Sequence, residues 1–221
     1  MHFQKEWIAK LCCLVVALGW TTAQAAEPVS IESLLNEMVN RESVARYPET
    51  DFRLKQQSSY DRASKVPEEP EGWFANFDYN NKARYPERDF KNFIRTEEND
   101  GRKEWVMMDH KGPGALVRTW MPWEETRVPE TDVVIRVYLD GATEPTFDGK
   151  MPGPFDGSGI FPAPFAHASL SSAVSFFPIP YAKQCKITAS KLPFFYIFTF
   201  REYEEGTPVK TFSLEDFEAA K

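Results

Sequence analysis

The stretch from residue 105 to residue 140 constrains the fold more than any other part of the chain. It reads as a strand from Trp105 to Asp109, a sharp turn through Lys111-Gly112-Pro113-Gly114, and a second strand from Ala115 to Trp120. After a polar break, Val133, Ile135, Val137 and Leu139 alternate with Val134, Arg136, Tyr138 and Asp140. Strand side chains point alternately to opposite faces, so the first set is expected in a core and the second outward. Further strands are expected over residues 173–177, 184–189 and 194–203; in the last, Phe194, Tyr196, Phe198 and Phe200 share a face. The prolines and glycines of residues 151–164 mark a long irregular connection, of the kind that crosses between sheets in Greek-key and jelly-roll sandwiches. The expected class is all-β: an antiparallel jelly-roll-like β-sandwich with short flanking helices and long loops.

The 221 residues, 42% hydrophobic and 14% aromatic, suffice for one sizeable core. The formal charge is −7, and an acidic surface repels phosphate backbones, so no nucleic-acid partner is expected. At the amino terminus, Lys5 and Lys10 precede an apolar run from Leu11 to Leu18, and Ala23-Gln24-Ala25 has the small-x-small pattern of a signal-peptidase site. The run is shorter than the roughly 20 residues a spanning helix needs, so residues 1–25 are read as a signal peptide, with no membrane association after cleavage. The expected location is secreted or periplasmic. Cys12 and Cys13 leave with the signal, and Cys185, beside Ile187 on the apolar side of a strand, reads as a small buried hydrophobe rather than a nucleophile.

Residues 26–104 form an amino-terminal helix and loop-rich arm in this reading, residues 105–212 the jelly-roll core, and residues 213–221 the start of a linker helix. Ser30 can cap a short helix with Ile31, Leu34, Leu35 and Met38 on one face, laid against the sheet. From residue 41 to residue 100 neither helical nor strand period persists. Within that segment, Ala45-Arg46-Tyr47-Pro48-Glu49-Thr50-Asp51-Phe52 returns as Ala83-Arg84-Tyr85-Pro86-Glu87-Arg88-Asp89-Phe90. Two copies are too few for a solenoid. Ser213-Leu214-Glu215-Asp216 resembles a capping box opening the last helix.

Two strings in the arm have the mixture that binds sugars, flat rings for apolar faces and polar side chains for hydroxyls. They are Gln57-Ser58-Ser59-Tyr60-Asp61-Arg62 and Gly72-Trp73-Phe74-Ala75-Asn76-Phe77-Asp78-Tyr79. The competing reading has Trp73, Phe74 and Phe77 plugging the end of a sandwich while Asp61 and Arg62 form a loop salt bridge. Other chemistries find no support. His2, His110 and His167 are scattered without zinc-site spacing, and no loop has EF-hand spacing. Gly157-Ser158-Gly159 lies in a proline-rich loop rather than at a nucleophile elbow, and Gly112-Pro113-Gly114 is a turn with no helix after it to cradle phosphate. No metal and no cofactor are expected.

The order Glu104-Trp105-Val106-Met107-Met108-Asp109, Gly112-Pro113-Gly114-Ala115-Leu116-Val117-Arg118-Thr119-Trp120, Ile135-Arg136-Val137-Tyr138-Leu139-Asp140-Gly141 resembles a family filed as domain of unknown function 2961. Its characterised members are glycoside hydrolase family 172. Ser58-Ser59-Tyr60-Asp61-Arg62, Gly72-Trp73-Phe74-Ala75-Asn76 with Asp78, Phe176-Phe177-Pro178-Ile179-Pro180-Tyr181 and Phe195-Tyr196 extend the likeness over roughly residues 33–212. The resemblance implies two consecutive jelly rolls, assembly into trimers or multiples of them, and retaining cleavage or transfer of furanosides by two glutamates. Those glutamates belong to Gly-Glu-Gly-Asp and Gly-Thr-Gly-x-Glu-Asp-Tyr strings that do not occur here, so no catalytic residue carries over. Thr143-Glu144-Pro145 and Glu204-Glu205-Gly206 lack the flanking residues.

What carries over is the amino-terminal loop, with Trp73, Asn76 and Asp78 as expected sugar contacts and Asp61 and Arg62 behind them. Residues 79–89 look inserted relative to the pattern. The expected function is the amino-terminal jelly-roll half of a secreted glycoside hydrolase-like protein acting on furanoside-type carbohydrates, the glutamates lying on a companion half. The alternatives are a non-catalytic carbohydrate-binding or oligomer-building module, and a site rebuilt from this half's own carboxylates. The expected partners are carbohydrate and further copies of the chain.

Overall fold

A computed structural model describes residues 27–64, 91–122 and 132–220. Residues 1–25, read above as a signal peptide, Trp73, Asn76, Asp78 and the second copy of the repeat lie outside the described residues. In chain order the elements are α1 (Ile31–Val39), a 3-10 turn (Ser43–Ala45), β1 (Phe52–Ser58), β2 (Arg95–Asn99), β3 (Arg102–Lys111), β4 (Gly114–Pro122), β5 (Val134–Leu139) and β6 (Phe147–Lys150). They continue with β7 (Ala166–Ala168), β8 (Ser172–Ser175), β9 (Ile179–Tyr181), β10 (Gln184–Ala189), β11 (Ile197–Tyr203) and α2 (Leu214–Ala219). The strands form two antiparallel sheets, so the all-β sandwich read from the alternation is the observed fold. One sheet has the order β1-β11-β4-β8-β7, with β9 also pairing β4; the other has the order β2-β3-β10-β5-β6.

Alternation builds the core as expected. Ile135, Val137 and Leu139 of β5, Cys185, Ile187 and Ala189 of β10, and Phe198 and Phe200 of β11 all belong to one buried cluster between the sheets. The register of β3 against β10 slips between Ile187 and Thr188, which pair with Met108 and Val106. Met107 is the extra residue, and this bulge explains why Val106, Met107 and Met108 are all buried without alternating. The proline-rich connection adds rings that no periodicity announced. Phe155 and Phe161 are fully buried, Phe161 stacks on Phe177 at 4.3 Å, and Phe177 meets Phe217 of α2 edge-on at 4.7 Å.

Residues 41–100, expected as loop, contain two strands. In β1, Arg53, Leu54, Lys55 and Gln56 are all exposed, so no hydrophobic alternation exists to reveal the strand. Pairing makes it one: all seven residues oppose β11, from Phe52 with Tyr203 to Ser58 with Ile197. Likewise β2 is a polar edge strand held by β3.

The helix α1 starts at Ser30, whose side chain accepts from the Ser33 amide while the Ser33 hydroxyl accepts from the Ser30 amide, a reciprocal cap. Its Leu34 packs with Val29, Ala115 and Tyr203 on the outer face of the six-stranded sheet. At the other end of the chain, Ser213 caps α2 through the Asp216 amide. Cys185 is fully buried, and burial pushes its thiol above the ordinary value, in keeping with a packing role.

Candidate functional site

Chain segments meet in a neck at the Ser58 end of β1. The Ser59 amide donates to the Tyr196 carbonyl at 3.1 Å and the Tyr196 amide to Ser59 Oγ at 3.1 Å, extending the β1–β11 pairing past its last ladder residue. Arg62 then spans the neck. Its amide donates to the Lys91 carbonyl at 3.0 Å, and its Nη2 donates to the Ser58 carbonyl at 3.0 Å and to the Tyr196 hydroxyl at 3.2 Å. The guanidinium also lies 4.9 Å from the centre of the Tyr60 ring. Tyr196 passes its own hydroxyl hydrogen to the Asn92 carbonyl at 2.9 Å, and Asn92 Nδ2 donates to the Pro193 carbonyl at 3.2 Å. The points where the chain leaves the described part, after Ser64, and returns, at Lys91, are therefore tied together.

Asp61 and Arg62 thus serve the base of that connection. Asp61 is buried, and its Oδ1 accepts from the Ala63 amide at 2.9 Å while its carbonyl accepts from the Ser64 amide at 2.9 Å, closing a turn. The contacts above commit the Arg62 guanidinium to main-chain carbonyls and to Tyr196, so it positions the chain. The structure brings these two of the five expected site residues together; Trp73, Asn76 and Asp78 belong to residues 65–90 and are outside the described part.

At the opposite end of β1, between the β3–β4 turn and the end of β11, lies an open cleft of about 740 Å³. His110, Glu202 and Lys111 line it together with Asp51 and Arg53. His110 projects from the five-stranded sheet into the space between sheets, where Nε2 lies 3.3 Å from Glu202 Oε2 and Nδ1 lies 2.9 Å from the Tyr181 hydroxyl. Its ring also packs on Phe200 at 4.6 Å. Burial lowers the His110 pKa, and the Glu202 carboxylate only partly offsets it. With both ring nitrogens engaged, His110 is placed to latch one sheet to the other rather than to act as a free base.

A third polar group covers the outer face of the five-stranded sheet. Glu104 is 0% exposed; it accepts from the Tyr138 hydroxyl at 2.8 Å and from Thr188 Oγ1 at 2.7 Å, with Arg136 Nη1 at 3.4 Å and Arg102 Nε at 3.6 Å. Farther along, Arg95 pairs with Asp109 at 2.7 Å, and Gln184 Nε2 donates to the same carboxylate at 2.6 Å. Sequence reasoning missed both this network and the His110 latch. Their members lie up to 92 residues apart, and strand register alone brings them together. Among the described residues, no group of three or more His, Cys, Asp or Glu side chains could hold a metal ion.

The two antiparallel sheets, with a long connection pinched at its base, define a β-sandwich domain of the jelly-roll kind that presents loops from its ends. Comparison with protein families narrows this: the profile described as GH172 first beta-sandwich domain matches residues 50–220. The chain therefore belongs to glycoside hydrolase family 172, through that family's first β-sandwich domain. No curated protein matches the chain.

Proposed function

We propose that this chain is the sugar-contacting first sandwich of an exported glycoside hydrolase-type protein acting on furanosides, with the nucleophile and acid on a second sandwich. Family membership supports the carbohydrate role. The observation that carries the local reading is the neck: Arg62, Asn92 and Tyr196 hold both ends of the segment bearing Trp73, Asn76 and Asp78 at one point on the sandwich. A segment tethered at both ends gives up less conformational freedom on meeting a ligand than a free tail does. In this reading Trp73 offers its ring to the apolar face of the sugar, and Asn76 and Asp78 bond its hydroxyls. Asp61 and Arg62 support them from behind.

Calorimetric titration with a linear arabino-oligosaccharide tests the assignment. Trp73→Ala and Asp78→Ala should each weaken binding by about tenfold, or 1.4 kcal/mol, with unfolding midpoints unchanged. Unaltered affinity in both variants removes these residues from the site. The chain by itself should not hydrolyse aryl furanosides, and turnover by it would overturn the division of labour.

A module that builds oligomers is the second reading, and one observation favours it. Leu170 is 100% exposed at the tip of the β7–β8 hairpin, and Phe176 is exposed at its base. Apolar side chains presented this way suit a contact between copies. Leu170→Ser should then shift the sedimentation coefficient toward that of a single chain.

A further inference from the structure

A cleft of about 510 Å³ separates α1 and the turn after it from the outer face of the six-stranded sheet. One wall comes from residues before the 50–220 span of the matched family domain, so that domain does not account for it. The floor is Phe52, Arg201 and Tyr203, at the start of β1 and the end of β11. The neck lies at the other end of β1, roughly 20 Å away at the rise of an extended strand.

The floor combines a neutralised charge with a buried hydroxyl whose nearest polar neighbour, Arg201, is not aligned for a good hydrogen bond. Arg201 forms a two-pronged pair with Glu37, at 2.7 Å on each side, and its guanidinium lies 4.2 Å from the centre of the Phe52 ring. Its charge is thereby committed within the protein. Tyr203 is 4% exposed, and its hydroxyl, beside Arg201, makes no hydrogen bond of acceptable geometry. A buried hydroxyl left this way is unfavourable, and a ligand that bonds to it removes the cost.

The walls add groups with free hydrogen-bonding capacity. Among the described residues, the side chains of Asn36, Tyr47, Glu49 and Thr50 have no hydrogen-bond partner. Three of the four belong to the first copy of the repeated string, whose Phe52 packs in the floor while Tyr47 is 96% exposed. A volume of this size holds one or two sugar rings. An amide, a carboxylate and hydroxyls match vicinal sugar hydroxyls, and a free phenol ring matches a sugar's apolar face. Anions are disfavoured, because Arg201 is neutralised by Glu37 and Arg46 by Glu42 at 3.3 Å, while Glu49 adds negative charge.

We infer that the cleft between α1 and the outer sheet face is a second binding site for a neutral oligosaccharide, contacted by Asn36, Tyr47 and Tyr203. Only the choice of sugar rests on the reading of the neck given above. The test uses the full chain, its side-chain amides labelled with ¹⁵N, titrated with a linear arabino-oligosaccharide and with an inulin-type fructo-oligosaccharide. Tetralysine serves as the competing basic peptide. One of the neutral sugars should shift the Asn36 side-chain amide, and Tyr47→Ala and Tyr203→Phe should each weaken that event about tenfold.

Tyr203→Phe removes only the hydroxyl beside Arg201, whose guanidinium keeps its two-pronged pair with Glu37, so its unfolding midpoint should stay close to that of the parent. The same titration on Trp73→Ala separates the two sites. Retention of the Asn36 shift there supports the cleft whether or not the neck binds, whereas its loss places all sugar binding at the neck and overturns the cleft. An Asn36 amide unmoved by both sugars, unchanged affinity in both cleft variants, or a stronger response to tetralysine would equally overturn it.

Discussion

Gly114 sits where three strands crowd one point. A Cβ there would strike the Tyr181 ring and come within 2.7 Å of the Arg201 carbonyl oxygen, because β4 has β9 on one side and β11 on the other. Gly114→Ala should cost about 1–3 kcal/mol through overpacking, measured as a lower urea midpoint with unchanged slope. Glu104 shows the opposite kind of sensitivity. Its carboxylate is fully enclosed with Tyr138, Thr188 and Arg136 around it, so Glu104→Ala should cost about 3–5 kcal/mol by stranding the guanidinium charge. Glu104→Gln, which keeps the shape and some of the hydrogen bonds, should cost less in the same measurement. In the sequence Glu104 was only the last residue of the loop-rich arm, next to the strand expected from Trp105. Its importance came from Thr188, 84 residues away, and that pairing cannot be read from local pattern.

Among the elements, α1 depends most on tertiary contact. Nine residues are too few for a stable isolated helix, so packing of Ile31 and Leu34 and the Glu37–Arg201 pair must hold it. Glu37→Ala should cost about 1 kcal/mol or less overall, since the pair is partly solvated. Its clearer effect should be local: faster hydrogen exchange at the α1 amides with β10 unchanged, whereas uniform acceleration would mean that α1 unfolds only with the whole domain. This helix was legible, because a capping serine and apolar spacing are local signals. Strand β1 was not, because an edge strand exposed over four consecutive residues carries none. The neck divides in the same way. Its residue types stood out as Ser-Tyr-Asp-Arg, but the role of Arg62 as a clasp required Lys91 and Tyr196 to be in place.

For the whole molecule, pH acts through the latch between sheets. Burial depresses the folded-state pKa of His110 below its ordinary value, so the unfolded chain takes up the proton first as pH falls. The stabilisation from neutral His110 is present above about pH 6.5 and is lost as pH drops through the lower folded-state value. A plot of unfolding free energy should therefore decline on going from pH 7 to pH 5, and His110→Gln should flatten that decline; an equal slope in the variant would acquit His110. Near and below pH 4 a second decline should follow from Asp109. Burial raises its pKa, but the hydrogen bonds from Gln184 and Arg95 outweigh that and hold it below the ordinary value. The amino-acid sequence by itself determined the class of the molecule, a β-sandwich with short capped helices, because side-chain alternation, turn residues and helix caps act over a few neighbours. Which polar groups became latch, clasp or cleft was decided only by the tertiary structure. Each joins strands remote in the chain, and the energy of a buried charge or hydroxyl depends on the partners that folding brings to it.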